Sequence, residues 1–292
     1  MPTAEITAAA LVVGAALAVS GAVLQSVLRN PLAEPYLLGT VGGAAFFSVL
    51  AMNLGLTALG AWVLPTASFL GSTLALGTVV AVAVLARRMR SRTGGDAWLR
   101  SSGSTVVLAG FVTGGFFGSL DMLVLAYARA EDVAAVNRWL FGSLAAVTPT
   151  ALALTAAVSA GAFAALMALV RPLQVIEIGR DEAECLGVNA SLVIFAALAL
   201  VSLMTAVSVA LAGAIGFVGL VVPHFVRRWC GPRLKLVLPL SAVLGGTVLY
   251  LAEIVTERLP GSVGVGVVAA ILAAPFFLWL LISRRGGEGR DI

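Results

Sequence analysis

Charge is what this sequence has least of. Of its 292 residues, 60% are hydrophobic and 11% are charged, and the mean hydropathy is +1.07. A soluble domain carries about a quarter charged residues, so the bilayer must be the main solvent for this chain. The net charge of +4 does not indicate a nucleic-acid partner, because the basic residues cluster in short loops between apolar runs, which is how membrane topology is encoded.

Three residue types are nearly missing, and each absence excludes a class of chemistry. One histidine, His224, cannot form a metal cluster with so few nitrogen and sulfur partners, and no cofactor is expected. The two cysteines, Cys185 and Cys230, both fall in predicted cytoplasmic segments, where a structural disulfide is not expected. The single lysine, Lys235, stands in "GPRLKL", so the chain has no GxxxxGK[ST] phosphate loop and is not itself a P-loop ATPase.

What the sequence does have is long runs without charge. Residues 6–28 form one run, and residues 35–86 form another of 52 residues. As a single helix the second run would be about 78 Å long, far more than the hydrocarbon core of about 30 Å, so it must cross twice. Read in this way, the chain is one all-α polytopic membrane domain over residues 1–292. The predicted crossings are nine: 8–28, 37–56, 62–86, 104–126, 149–170, 191–212, 214–226, 236–256 and 264–282.

Orientation follows from arginine and lysine. If the loops at 29–36, 87–103, 171–190 and 227–235 and the C-terminus are cytoplasmic, they hold fifteen of the eighteen basic residues. The rule that cytoplasmic loops are basic therefore predicts a cytoplasmic C-terminus and, with nine crossings, an external N-terminus.

One crossing is too short. After a full span that ends near Ala212, only about a dozen residues, "AIGFVGLVVPHF", remain before Arg227, and a helix of that length covers about 20 Å. Its glycines and Pro223 indicate a short or broken helix, which survives at membrane depth only where protein or a water-filled cavity covers the freed backbone groups. Such segments are typical of transport pathways.

A second stretch has a related pattern. "SGAVLQSVLRNPLA" and "AGAIGFVGLVVPHF" both carry Gly-Ala followed nine residues later by proline, and both run from outside to inside in the predicted topology. This pairing would fit a duplicated transporter core.

The sequence from Gly14 to Phe46, which contains "NPLAEP", closely resembles the corresponding region of FecCD-type permeases. These are the membrane subunits of ABC importers for ferric siderophores, haem and cobalamin. "RWLFGSL" (138–144), "IGRDEAECLGVN" (178–189), "VSVALAGAIGFVGLVVPHFVR" (207–227) and "VGVVAAILAAPFFLWLL" (265–281) resemble later motifs of that family in the same order.

The resemblance implies a permease that pairs with a second copy or a close homologue. Cytoplasmic ATP-binding subunits and an extracytoplasmic substrate-binding protein would complete the importer in the cell (inner) membrane. The family usually has ten spans, so the resemblance implies that the first helix and its arginines are missing from this sequence, through a misassigned start codon or a shortened variant. The loss puts part of the docking surface for the binding protein in doubt.

The segment 171–190 is polar and long for a simple loop. It is either a solvated cytoplasmic connection or, as the resemblance implies and we favour, the element that couples to the ATPase. Its small and apolar contact residues would be Gly179, Ala183, Leu186 and Gly187, with Arg180 and Asp181 at the edge.

The resemblance also places a gate at the cytoplasmic mouth. Its candidate residues in the first stretch are Asn30, Pro31, Leu32, Ala33 and Pro35, and in the second Gly213, Gly216, Gly219 and Pro223. The prolines also have a purely local explanation, because proline lacks an amide donor and ends a helix. Both interpretations hold together if a rigid bend beside a pathway also ends a span.

At the external end of the eighth crossing, Glu253, Glu257 and Arg258 are either a solvated helix end or contacts for the binding protein. Asp121 lies inside a span, where an ionisable residue is a functional candidate, but near the interface it could equally be solvated. For His224 we favour a structural role at a helix end over proton transfer.

The sequence thus predicts a permease of an ATP-driven importer for an iron chelate, haem or corrinoid, which itself catalyses no reaction. The alternative is an ion-coupled secondary transporter. That class needs buried ionisable groups, and the central thirds of the predicted spans contain no Asp, Glu, Lys or Arg. An inert scaffold would leave the broken segment unexplained.

Overall fold

The protein is described here from a computed structural model. The described residues are 2–36, 38–60, 62–91, 98–128, 133, 136–137, 139–145, 147–260 and 263–285. Over these residues the chain forms α-helices, one short 3-10 helix (Leu56–Leu59) and no strand. The α-helices are α1 (Ala4–Val27), α2 (Thr40–Asn53), α3 (Val63–Ser91), α4 (Trp98–Tyr127), α5 (Pro149–Ala168), α6 (Val170–Ile178), α7 (Arg180–Cys185), α8 (Ala190–Ala212), α9 (Val218–Cys230), α10 (Leu234–Thr256) and α11 (Val265–Arg285).

The helices coincide with the predicted crossings. Six described segments are long and apolar enough to span a bilayer: Ala4–Val27, Val63–Val82, Leu108–Tyr127, Pro149–Ala168, Ala190–Ala212 and Leu234–Thr256. Two shorter apolar helices, Thr40–Asn53 and Val265–Pro275, and the thirteen-residue α9 account for the other three predicted crossings. The all-α polytopic fold class is confirmed.

Local side chains explain where several spans begin. The Thr3 hydroxyl accepts a hydrogen bond from the Ile6 N–H at the start of α1, and the Thr148 hydroxyl does the same for Ala151 at the start of α5. The side-chain oxygen of Asn189 accepts from the Leu192 N–H at 3.0 Å and begins α8. Each oxygen satisfies an amide that has no partner inside its own helix.

Helix α1 is the central element, with side chains buried around most of its circumference and α5, α8, α9 and α10 packed against it. Glycine makes its closest approaches possible. A Cβ on Gly14 would lie 2.3 Å from the Gly245 carbonyl oxygen in α10, and one on Gly21 would lie 1.8 Å from the Gly219 carbonyl oxygen in α9. Such backbone contact is typical of membrane helices, which associate through close packing of small residues.

The predicted broken helix is present. Residues 213–217 between α8 and α9 are not helical, and α9 is thirteen residues long, or about 20 Å. Non-helical backbone at residues 142–143 bonds to the end of α8, just before this entry, and to the start of α11. The Ser143 N–H donates to the Ala212 carbonyl at 2.9 Å, and the Val265 N–H donates to the Gly142 carbonyl at 2.9 Å. Protein backbone therefore satisfies groups that lipid could not.

Candidate functional site

The connection from α1 to α2, residues 28–39, begins with a tight helix end. The Arg29 N–H donates to the Ser26 carbonyl and the Asn30 N–H donates to the Gln25 carbonyl, at 3.3 and 3.1 Å. This is the Schellman pattern, in which one residue takes a left-handed conformation that glycine adopts most easily. Here that residue is Arg29, with φ of 47°. The helix thus ends at Val27, four residues before Pro31.

The rest of this loop is compact and locally bonded. The Asn30 side-chain oxygen accepts from the Leu32 N–H at 2.9 Å, and the Asn30 carbonyl accepts from the Ala33 N–H at 3.1 Å. The Thr40 hydroxyl donates to the Pro35 carbonyl at 2.7 Å, which ties the loop to the first residue of α2. Ala33 and Pro35 are buried, whereas Asn30, Pro31 and Leu32 are half-buried.

Glu34 joins this loop to the broken helix. Its side chain is only 2% exposed, and its Oε2 accepts a hydrogen bond from the Phe217 N–H at 3.1 Å. Phe217 is the residue before α9 and has a positive φ of 69°. A carboxylate at a helix N-terminus complements both the unpaired amides and the helix dipole. Burial raises the pKa of the Glu34 carboxyl to about 7, although backbone hydrogen bonds from Phe217 and Leu220 oppose this shift.

The far end of α9 is also held on α1. Arg227 donates to the Gln25 side-chain oxygen, to the Ala22 carbonyl at 2.9 Å and to the Ser26 hydroxyl at 3.0 Å. The Gln25 amide in turn donates to the carbonyls of Gly219 and Leu220 at 3.2 and 3.3 Å. Polar bonds inside a membrane domain fix the relative placement of helices, because the unbonded groups would be poorly solvated there.

The predicted gate residues of the two stretches meet in space. A Cβ on Gly219 would lie 3.3 Å from Pro35 Cδ, and one on Gly216 would lie 3.4 Å from the Tyr36 ring. Gly213 lies on the other side of the non-helical entry, with φ of 74°, against the Trp139 carbonyl. Pro223 is buried inside α9, and His224 beside it is half-buried.

The predicted coupling segment, residues 171–190, forms α6, α7 and the first residue of α8. Ile178, Leu186 and Gly187 are exposed, the first two at 75% and 69%. Gly179 and Ala183 are instead buried in this chain, and Ala183 packs in a small cluster with Ile176 and Ala190. The predicted contact face is therefore divided, because a residue packed inside the chain is not available to a partner. The side chains of Arg180 and Asp181 lie outside the described residues.

The external candidates are divided in a similar way. Glu257 and Arg258 are exposed after the end of α10, whereas the Glu253 side chain is only 6% exposed in its last turn. Asp121 is 7% exposed, and its Oδ1 has no hydrogen-bond partner among the described atoms. Burial of that carboxylate argues against a solvated helix end.

Sequence reasoning missed the side chains that join these elements, namely Gln25, Arg29, Glu34 and Arg227. A signal existed for one of them, because Glu34 is the only acidic residue between Glu5 and Asp96. An isolated carboxyl flanked by apolar runs in a membrane protein is a candidate for a specific partner.

A polytopic bundle of apolar helices, with a broken helix held by backbone and buried polar bonds, is typical of membrane transport proteins. The FecCD transport family model matches residues 4–283, and this chain belongs to that family.

Known permeases are similar to this chain over most of its length. It is 35% identical to the cobalamin import system permease protein BtuC of Halobacterium salinarum, over 93% of this chain and 70% of the relative. It is 33% identical to the iron(3+)-hydroxamate import system permease protein FhuB of Bacillus subtilis, over 96% and 70%. A solved inward-facing conformation of a putative metal-chelate type ABC transporter matches with a TM-score of 0.82 and 27% identity, over 96% of this chain and 85% of that one.

The recognised family is thereby confirmed. The chain is a membrane-spanning permease subunit of the ABC importer class, and it is a transport subunit rather than an enzyme.

Proposed function

We propose that this permease carries a bulky chelate of a metal, namely an iron chelate, haem or a corrinoid. The observation that carries the proposal is the near full-length similarity to permeases named for cobalamin and for iron(3+)-hydroxamate import. Small and apolar residues dominate the chain, and such a surface suits a large rigid cargo that makes few specific contacts.

Energy comes from separate ATP-binding subunits that contact the cytoplasmic segment 170–187. Support for this contact comes from Ile178 and Leu186, whose exposure beside polar helix residues leaves apolar surface for a partner. Gly187 lies next to Leu186 and is exposed too. Gly179 and Ala183 support α7 from inside, and Arg180 and Asp181 begin that helix.

The gate consists of the α1–α2 loop and the entry to α9. Its support is geometric: Pro35 and Tyr36 lie against Gly219 and Gly216, so movement of α9 must move the loop. Non-helical backbone at 213–217 can change its dihedral angles without breaking a helix, which suits a moving element.

Partners and orientation complete the proposal. A second permease, identical or homologous, pairs with this chain in the cell (inner) membrane. The C-terminus of this chain is cytoplasmic. An external binding protein docks near Glu257 and Arg258, which are exposed. Glu253 supports that end from inside the fold.

The experiment is recovery of the tagged chain from its native membrane in mild detergent after crosslinking, followed by mass spectrometry. We expect a P-loop ATPase and a second permease subunit to be recovered with it. The complex, reconstituted in liposomes, is then tested for ATP-dependent uptake with cyanocobalamin, haem and a ferric trihydroxamate as separate probes.

Recovery of the chain without an ATPase, together with uptake driven by an ion gradient, would overturn the proposal in favour of a secondary transporter. The buried Asp121 carboxylate is the observation that favours this alternative. An Asp121→Asn variant discriminates between the two, because ion-gradient uptake would depend on that carboxylate and ATP-driven uptake would not.

A further inference from the structure

Arg29 connects the α1–α2 loop to the coupling segment. Its guanidinium donates a hydrogen bond to the carbonyl oxygen of Ile176 in the last turn of α6. The last carbonyls of a helix have no partner within it, and the negative end of the helix dipole lies there. A cationic donor at this position therefore holds α6 by hydrogen bonding and by charge.

The backbone conformation of Arg29 indicates that its side chain has a specific role. Arg29 occupies the left-handed position of the helix end, where glycine would be the least strained residue. Its backbone conformation therefore gives no reason for arginine, whereas the contact with Ile176 does. The side chain is otherwise exposed.

Five residues further along, Glu34 connects the same loop to the start of α9. Arg227 and Gln25 fasten the rest of α9 to α1. Helix α1, the loop and α9 thus form one block with polar bonds at both ends of α9. Arg29 bonds this block to α6.

We propose that Arg29 and Glu34 are positioning residues that transmit displacement of the coupling segment 170–187 to α9. Arg29 makes the block follow α6, and Glu34 makes α9 follow the loop. The inference rests on the proposed function, because an ATPase must displace the coupling segment.

The test uses the whole transporter, purified with its ATPase and binding protein and reconstituted in liposomes. The sequence has two cysteines, so Cys185→Ser leaves one for labelling, Cys230, which is the exposed last residue of α9. The rate of maleimide labelling at Cys230 is compared without nucleotide and with ADP and vanadate trapped. ATP hydrolysis is measured in the same preparations.

The principal variant is Arg29→Gly, which removes the guanidinium and suits the left-handed backbone, so folding is retained. Arg228→Gln is the matched control, since Arg228 is an exposed arginine one residue from Arg227. We expect the control to keep the nucleotide-dependent change in labelling. In Arg29→Gly, ATP hydrolysis continues, while the nucleotide-dependent change in labelling falls by about tenfold or more, as expected when one charged hydrogen bond is lost.

Glu34 is tested by a conservative pair. Glu34→Gln keeps an oxygen that can accept from the Phe217 N–H, whereas Glu34→Ala does not. We expect Glu34→Gln to keep most of the labelling change and Glu34→Ala to lose it. This difference between the two variants distinguishes a positioning role of Glu34, which needs only an acceptor oxygen, from a role that needs a charged carboxylate.

The outcomes are distinct. If wild-type protein brings no ATPase and hydrolyses no ATP, the proposed function has failed. If it hydrolyses ATP but Cys230 labelling does not respond, or Arg29→Gly responds like the control, the inference is wrong. It is also wrong if Arg29→Gly lowers the unfolding temperature and hydrolysis together, because Arg29 would then be merely structural.

Discussion

At the scale of single residues, the most informative side chain is Glu34. It is buried between the α1–α2 loop and α9, and it accepts a hydrogen bond from the Phe217 N–H. Burial opposes ionisation more strongly than the hydrogen bonds favour it, so the pKa of this carboxyl rises from 4.5 to about 7. That pKa lies near physiological pH, where small environmental changes alter its charge.

The raised pKa predicts a pH-dependent stability difference. Between about pH 4.5 and pH 7 the folded chain keeps the Glu34 proton and the unfolded chain releases it, so this group's stabilisation is present at low pH and is lost as pH rises. Glu34→Gln cannot ionise. Its free energy of unfolding relative to wild type should therefore increase by up to about 3 kcal/mol from about pH 5 to about pH 8.

Thermal unfolding of both proteins in detergent across this pH range measures the effect. Parallel pH profiles would show that the Glu34 carboxyl does not change its charge state on unfolding in this interval.

At the scale of helices, the fold depends on backbone contact between α1 and its neighbours. Gly21 lies against Gly219 of α9, and Gly14 lies against Gly245 of α10. Such contacts bring the Gln25 side chain within reach of the α9 carbonyls. The hydrogen bonds of Gln25 and Arg227 between α1 and α9 therefore depend on the glycines, because these bonds form only when the two helices lie close together.

Gly21→Ala is expected to destabilise the protein by about 3 kcal/mol, since the added Cβ would meet backbone atoms that cannot rotate away. Gly77→Ala in α3 is the control, because a Cβ there meets nothing within 4 Å. That change should stabilise the helix by about 1 kcal/mol through propensity alone.

Unfolding temperatures of the two variants in detergent check the contrast. Equal stability of the two variants would mean that α1 and α9 are not in backbone contact.

At the scale of the whole molecule, the distribution of basic residues predicts the orientation of the chain in the membrane. Cys185 and Cys230 are both exposed, and the basic loops predict that both lie at the cytoplasmic face. Leu59 in the α2–α3 connection is 65% exposed, and the same charge rule predicts that it lies at the opposite face. The three positions therefore report the topology with little change to the fold.

A membrane-impermeant maleimide should label neither native cysteine in intact cells with a permeable outer envelope, and both in inside-out vesicles. A Leu59→Cys variant without the native cysteines should show the reverse. Labelling of Cys185 or Cys230 from outside, with Leu59→Cys protected, would invert the topology.

The sequence by itself determined the type of elements and the positions of the long apolar helices. Runs of more than twenty predominantly apolar residues without charge are long enough to span a bilayer, and the length of 35–86 requires two crossings. The hydrophobic effect and the bilayer thickness therefore set the helices. The interruption before α9 was also predictable, because too few residues remained between Ala212 and Arg227 for a full span.

Only the tertiary structure decided which side chains meet. Gln25 and Arg227 are 202 residues apart, and Glu34 and Phe217 are 183 apart, and no local periodicity encodes such pairs. The same holds for the candidate coupling face, where the packing of α7 on α6 and α8 buries Ala183 and leaves Leu186 exposed. The apolar runs of the sequence determine which segments enter the membrane, but only the close approach of the helices determines which polar side chains bond to each other.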